Sequence, residues 1–514
     1  MRKKSKELRL HPALLCFALT ILVMVISSVG SILNLEASYY TVNKISGDLE
    51  TNVITINNLF NRTGLQYLVS HMLDNFINFE PLSTFIVGLA GVGVAYKTGF
   101  LNSLFKMCTK NVSRKFITFL VVLLGVISSM FSEVGYVILI PISAILFLNI
   151  GRHPSAGICA AFAGISFGSG ANIVVNGLDS SLINYTKSAS SILDSSYKVS
   201  TSGNLIFMII STILVAYVGM IITEKYIVPK LGKYVMDEEE ELDFNIDITT
   251  REKKGVIISL LAMLIIGLIV IYCIIPGLPF SGLFLYLKDS TYIEQLFGAN
   301  SYFKQGSVFL FGALILIGGL IYGMRVKTIK TNRDLVDGMN YYLKSVSSIL
   351  ILIFFAAQFC LIFKETNIGA FIVASLAEIL SSIKLSGILL VIISFLFVGV
   401  CGFFVPAAST KWAIISPIMV PMFMQNSLTP EFAQAVFRAA DSSIKGMTPL
   451  FTYFVILIGF LQIYNKKNND VVTLTDAMSL VIPYSIGFSI LWLLIVLAFY
   501  IIGIPIGVGT GVML

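Results

Sequence analysis

Residues 404–424 read Phe404-Val-Pro406-Ala-Ala-Ser409-Thr410-Lys411-Trp412-Ala-Ile-Ile-Ser-Pro417-Ile-Met-Val-Pro421-Met-Phe-Met424. An apolar arm over 386–404 enters this stretch, and a second arm returns toward Met424. Between them lie a proline, small residues, two hydroxyls and a cation. Proline lacks an amide hydrogen and clashes with the preceding helical turn, so a helix entering from 386 stops near Pro406. The pattern predicts a re-entrant hairpin with a polar tip. At membrane depth such a tip survives only where protein or a water-filled cavity satisfies its backbone. Farther on come Asp441-Ser442-Ser443-Ile444-Lys445 and Thr448-Pro449, which predict a helix broken just beyond its charged residues.

Working outward, a similar arrangement stands in the first half of the chain. An apolar arm over 155–167 runs into Gly168-Ser169-Gly170-Ala171-Asn172, a second arm follows, and then comes Asp194-Ser195-Ser196-Tyr197-Lys198. The spacing differs: Asn172 to Asp194 is 22 residues, while Ser409 to Asp441 is 32. Arm, small polar tip, arm and a helix carrying Asp-Ser-Ser-x-Lys, met twice, is the pattern of an internal transporter repeat.

The composition puts both regions in lipid. Of 514 residues 56% are hydrophobic and 12% charged, with a mean hydropathy of +0.89. Soluble domains carry about 25% charged residues. The net charge of +7 sits in short clusters between apolar runs, where it orients a membrane protein and does not mark a nucleic-acid surface. Six scattered cysteines with no CxxC pair indicate neither a disulfide framework nor a zinc site.

A crossing of about 30 Å of hydrocarbon needs roughly 17–25 apolar residues. Candidate runs lie at 11–33, 82–107, 203–223, 255–276, 305–324, 346–363 and 477–503. The first follows Arg2, Lys3, Lys4 and Lys6, and reads as a retained helix because it lacks a clear small-x-small cleavage site. The stretch 115–150 is too long for one straight helix, and Ser132-Glu133-Val134-Gly135 predicts a break in it. The segment 368–383, with Glu378, reads as a half-helix or an interfacial piece, and 186–202 as a half-helix or a loop. The N-terminal tail, 97–115, 224–254, 325–344 and 465–467 hold most of the loop Lys and Arg. They are expected on the cytoplasmic side, with 34–80 and 277–303 outside. The acidic run Asp237 to Glu241 reads as a solvated linker.

The tips and the broken helix together form a candidate transport site. Gly168, Gly170 and Pro406 free backbone carbonyls, and Ser169, Asn172, Ser409 and Thr448 supply neutral oxygens. With Asp179 and Asp441 these make a cation-binding set, while helix N-termini at the tips favour an anionic substrate. Ionisable residues in apolar context cost about 2.5–3.5 kcal/mol each, so they need partners or a function. Arg438 and Asp441 share a helix face, and either neutralise each other or serve a substrate carboxylate and a coupling ion. Asp179 and Asp194 are the first-half counterparts, with Asp194 favoured by the repeat. Trp412 either offers a stacking face to an aromatic ring or packs, and Lys411 either meets a carboxylate or snorkels.

At these residues the sequence resembles the AbgT family of p-aminobenzoyl-glutamate transporters. Three blocks carry the likeness. The first is Gly135-Tyr-Val-Ile-Leu-Ile-Pro141 with Gly151-Arg-His-Pro154 and Ala156-Gly157; the second is Ala171-Asn172 with Gly177-Leu-Asp179. The third, and most specific, runs from Ser409 to Pro417 and Val420 to Met424, then Arg438-x-x-Asp441-Ser442 and Thr448-Pro449. Two departures stand out: a Gly-Ser-Gly-Ala-Asn tip where the family is bulkier, and Lys445 where it tends to be neutral.

The resemblance implies an all-α polytopic membrane protein with nine to eleven transmembrane helices and two re-entrant hairpins in a two-fold repeat, moving as an elevator-type carrier and a homodimer. Its expected parts are N-terminal scaffold and dimerisation helices (1–114), a first repeat (115–223) with a hairpin at 155–185, a cytoplasmic linker (224–254), scaffold helices (255–363) and a second repeat (364–514) with a hairpin at 386–424 and a broken helix over 430–464. Carried over by position, Asp194, Ser409, Trp412, Arg438, Asp441 and Pro449 match family residues linked to substrate handling, with Asn172 and Lys411 beside them. The implied activity is secondary transport of p-aminobenzoyl-glutamate across the bacterial inner membrane, coupled to Na+ or H+, with export of sulfonamide-type antimetabolites as the alternative. The expected partners are a small anionic substrate, the lipid bilayer and a second copy of the chain, with no nucleic acid and no cofactor beyond the coupling ion. An intramembrane enzyme is disfavoured by three scattered histidines and the lack of HExxH, GxGD or Walker motifs.

Overall fold

Hydrocarbon offers no partner for backbone polar groups, so the apolar runs fold as helices that satisfy themselves. The computed structural model describes residues 10–42, 49–131, 133–234, 248–288, 291–298, 300–343, 347–465 and 471–514. The basic N-terminal tail, Ser132 and the acidic run Asp237 to Glu241 lie outside the described residues, as do Lys466 and Lys467.

The chain opens with α1 (Pro12–Ile32), a two-stranded antiparallel hairpin of β1 (Glu36–Val42) and β2 (Leu49–Thr55), and then α2 (Arg62–Ile77), α3 (Glu80–Lys97) and α4 (Phe100–Thr109). The hairpin departs from an all-α expectation. Its register pairs Glu36 with Thr55 and Val42 with Leu49, and β1 packs on α16 and α18, introduced below. The first half continues through α5 (Arg114–Ser128), α6 (Ile140–Asn149), α7 (Pro154–Phe167), α8 (Gly177–Ser190), α9 (Leu205–Ile222) and the short α10 (Val228–Leu231). Between α5 and α6 the helix tightens over Ser129–Phe131 and widens over Gly135–Leu139, so 115–150 is one broken path. The stretch 191–204 is a series of turns.

The middle of the chain holds α11 (Thr250–Ile274), α12 (Tyr292–Phe297), α13 (Tyr302–Val326), α14 (Asn332–Leu343) and α15 (Ser347–Glu365). Here α13 and α14 pack closely on α3. Gly91 makes this possible, since a Cβ there would stand 2.2 Å from the Gly312 carbonyl oxygen. The second half comprises α16 (Ile368–Ser382), α17 (Gly387–Phe404), α18 (Ala408–Gln425), α19 (Pro430–Ile444), α20 (Phe454–Ile463) and α21 (Leu474–Ile502). A tail beyond Gly503 returns to the α18–α19 turn, where the Thr429 amide donates to Val512 O at 3.0 Å and the Leu514 amide to Ser427 O at 2.9 Å.

Among the described residues eight helical stretches are long and apolar enough to cross a membrane, or nine if the pair around Asn367, bent by 46°, is one span. Shorter apolar helices, α7 and α20 among them, do not reach across alone. These short pieces are where the two halves meet. α7 leads through a tip over 168–176 into α8, and α17 through a tip over 405–407 into α18, the two segments expected as hairpins; α7 packs on α5 and α6, α8 on α18, and α19 lies against all four.

Candidate functional site

The residue that organises the site is on α19. This helix is buried along nearly its whole length, including Glu431, Gln434, Arg438, Asp441, Ser442 and Ser443. So many polar groups are tolerable because most are answered by neighbouring segments, Glu431 by Tyr197 and Ser200 in the turns after α8. Arg438, 2% exposed, forms an ion pair with Asp179 and reaches Ser169 O with Nη2 at 3.4 Å. Asp441, 3% exposed, forms an ion pair with Lys411, whose ammonium also donates to Val405 O at 2.9 Å.

Both hairpin partners sit in the first turn of a returning helix. Asp179 is the third residue of α8 and closes a capping box: its Oδ2 accepts from the Asn176 amide at 2.8 Å, and Asn176 Oδ1 accepts from the Asp179 amide at 3.3 Å. Lys411 is the fourth residue of α18 and fully buried. The first hairpin approaches α19 through Gly170, where a Cβ would lie 2.6 Å from Ser442 Oγ and 2.8 Å from Arg438 O. Only glycine permits that contact. Ser169 Oγ donates to Ser442 Oγ at 3.3 Å beside it.

A neutral network flanks the charges. Trp412 Nε1 donates to Thr186 Oγ1 at 2.9 Å, and Thr186 Oγ1 donates to Gln434 Oε1 at 2.6 Å, joining α18, α8 and α19. The Trp412 ring lies 4.5 Å from that of Phe437, centroid to centroid. The space bounded by Ser169, Gly170, Ala408, Phe437, Arg438 and Asp441 leaves no room even for a water molecule, against the roughly 300–1,000 Å³ usual for a small-molecule pocket. The site is closed in this conformation. Arg438 Nε nevertheless meets no hydrogen-bond acceptor, which leaves one buried donor at this site unsatisfied.

Two apolar segments that close on one helix through buried charges make a candidate binding site inside a membrane protein. Comparison with known proteins identifies the kind. A sequence profile of the AbgT transporter family matches residues 6–514. This chain belongs to the AbgT family. It is 32% identical over 503 residues to the p-aminobenzoyl-glutamate transport protein of Escherichia coli K12, covering 97% of this chain and 94% of the relative. It also resembles a solved structure of MtrF from Neisseria gonorrhoeae, described as illuminating a class of antimetabolite efflux pumps, at 32% identity, 98% coverage of each chain and a TM-score of 0.50. The YdaH transporter of Alcanivorax borkumensis matches at 27% identity, 97% of this chain, 100% of its own and a TM-score of 0.49. The protein is thus a multi-pass membrane transporter for a small molecule.

Within the AbgT fold several expectations need correction. Asp194 does not enter the site. It lies exposed in the turns after α8, where the Ser196 hydroxyl (2.6 Å) and amide (2.8 Å) hold its carboxylate below the usual range. The first Asp-Ser-Ser-x-Lys is therefore on no helix, and Asp179 is the buried first-half carboxylate. Arg438 and Asp441 do not pair with each other, because each finds an opposite charge on a different hairpin. Trp412 offers no free stacking face here: it is one turn inside α18 and fully buried.

The six cation candidates do not make one cage. Asp179 and Asp441 take Arg438 and Lys411. Asn172 Nδ2 donates to Ser129 Oγ at 3.3 Å, and Thr448 Oγ1 donates to Phe403 O at 2.9 Å. Ser169 Oγ turns toward Ser166 O at 3.0 Å as well as toward Ser442, and Ser409 is half-buried beside the second tip. Pro449 lies in the break between α19 and α20, next to Thr448. Sequence reading missed Thr186 and Gln434. They are 248 residues apart, and nothing local to either points to the other.

Lys445 is the unbalanced charge. It opens the tightened turn Lys445–Met447 that ends α19, and its ammonium stands 5.6 Å over the Phe451 ring centroid. A cation–π contact of this kind contributes about 0.5–2 kcal/mol, less than the roughly 2.5–3.5 kcal/mol that a cation costs at membrane depth.

Proposed function

We propose that this chain is a secondary carrier of p-aminobenzoyl-glutamate in the bacterial inner membrane, driven by a sodium or proton gradient. The observation that carries the reading is the closed Asp179–Arg438 and Lys411–Asp441 pairing between two hairpin tips and α19. A substrate carboxylate offers Arg438 the bidentate acceptor it matches best, and displacing Asp179 frees that carboxylate for a coupling cation. The relative of similar length named for p-aminobenzoyl-glutamate supports the substrate. In this reading the N-terminus is cytoplasmic, the chain is a homodimer, and the hairpins with α19 move as a unit against α3, α13 and α14.

Charge supports the need for coupling. Moving a dianion inward against the membrane potential costs about 2.3 kcal/mol per charge per 100 mV, so accumulation requires co-transported cations. A second reading, export of sulfonamide-type antimetabolites, is favoured by the likeness to MtrF. The test is uptake of labelled p-aminobenzoyl-glutamate into proteoliposomes under separate sodium and proton gradients. Accumulation under one gradient names the ion. Absence of accumulation under both, with sulfonamide moving down an imposed gradient, overturns the uptake reading in favour of export.

A further inference from the structure

Five ionisable side chains stand at the closed site: Asp179, Lys411, Arg438, Asp441 and Lys445. Two ion pairs account for four of them and leave Lys445 as the cation outside a pair. Among the described residues Lys445 makes no ion pair. Its ammonium rests on the Phe451 ring one helical turn beyond Asp441, within electrostatic reach of Asp441, Lys411, Arg438 and Glu80.

We propose that Lys445 is a second anion-receiving group of the carrier site, and that it selects substrates with two carboxylates over otherwise identical substrates with one. The inference rests on the carrier reading above. Arg438 and Lys445 are seven residues apart, about 10 Å along a helix axis. Two long, flexible side chains close that gap onto the two ends of a short dicarboxylate. The alternatives for Lys445 are to complement the negative end of the α19 dipole or to snorkel toward the edge of the site. Neither would make the protein distinguish a carboxylate from its amide.

The test is competition against labelled p-aminobenzoyl-glutamate for binding to the purified, reconstituted protein. The unlabelled competitors are p-aminobenzoyl-glutamate itself and p-aminobenzoyl-glutamine, which has the same shape and one carboxylate fewer. In the wild type the amide is expected to compete about tenfold more weakly, the size of one charge-assisted hydrogen bond. Lys445→Met should bring the two competitors together by weakening the dicarboxylate, and Lys445→Arg should restore the preference.

An unchanged preference in Lys445→Met, or equal weakening of both compounds, overturns the assignment. So does a wild type that does not tell the two apart, an outcome independent of how well any variant folds. Failure of the wild type to bind either compound instead overturns the carrier reading, and this inference with it.

Discussion

The two hairpins reach α19 in matching ways with opposite charges. The first presents Asp179 from the opening turn of α8, and the second presents Lys411 from the opening turn of α18. A carboxylate at a helix N-terminus agrees with the helix dipole, and Asp179 also closes a capping box. An ammonium there opposes the dipole. The first hairpin is therefore internally consistent, whereas the second depends on α19 to hold its charge. Where a fold keeps a locally unfavourable residue in place, the compensation elsewhere points to function.

The sharpest way to break this comparison is to remove the α19 partners one at a time. Asp441→Asn strands a buried ammonium at the wrong end of a helix and should cost about 3–5 kcal/mol of stability and abolish transport. Arg438→Ala should abolish transport too, but with a smaller loss of thermal midpoint, because Asp179 keeps its capping hydrogen bonds. Thermal unfolding of both variants in parallel with uptake measures the difference. Equal destabilisation would remove the asymmetry between the hairpins.

A smaller effect is expected at the first tip. Gly170→Ala pushes a methyl group against Ser442 and the Arg438 carbonyl, an overpacking of about 1–3 kcal/mol. Transport should slow with the oligomeric state unchanged, and uptake kinetics on the variant would report it. Least affected should be Asp194→Asn, with transport and midpoint near wild type. Loss of uptake there would return Asp194 to the site and restore the first Asp-Ser-Ser-x-Lys as a true counterpart of the second.

That motif also marks where reading the sequence ends. Apolar runs, the break within 115–150 and the proline and glycine tips were legible because each is a local rule about hydrocarbon and backbone. The repeat reading matched Asp194 to Asp441 by spelling, yet burial follows position, and only Asp441 lies on a helix enclosed on all sides. The pairing of Asp179 with Arg438 spans 259 residues, and no local pattern encodes it. The β-hairpin over 36–55 went unnoticed because its Tyr, Thr and Val residues stand in a polar loop between apolar runs. Of the two readings open for Trp412, this structure shows packing, since Thr186 and Phe437 reach it from elsewhere in the chain.

Fastening both hairpins to one helix by one ion pair each makes α19 an interlock. In the proposed carrier an arriving carboxylate takes over the bonds of Arg438 and an arriving cation meets the Asp179 carboxylate so released, and that pair opens without leaving bare charge behind. A hairpin that swings with no cargo strands a carboxylate and a cation in a low-dielectric space. Under the proposed function an unloaded carrier therefore stays shut on both faces and does not drain the ion gradient that drives it.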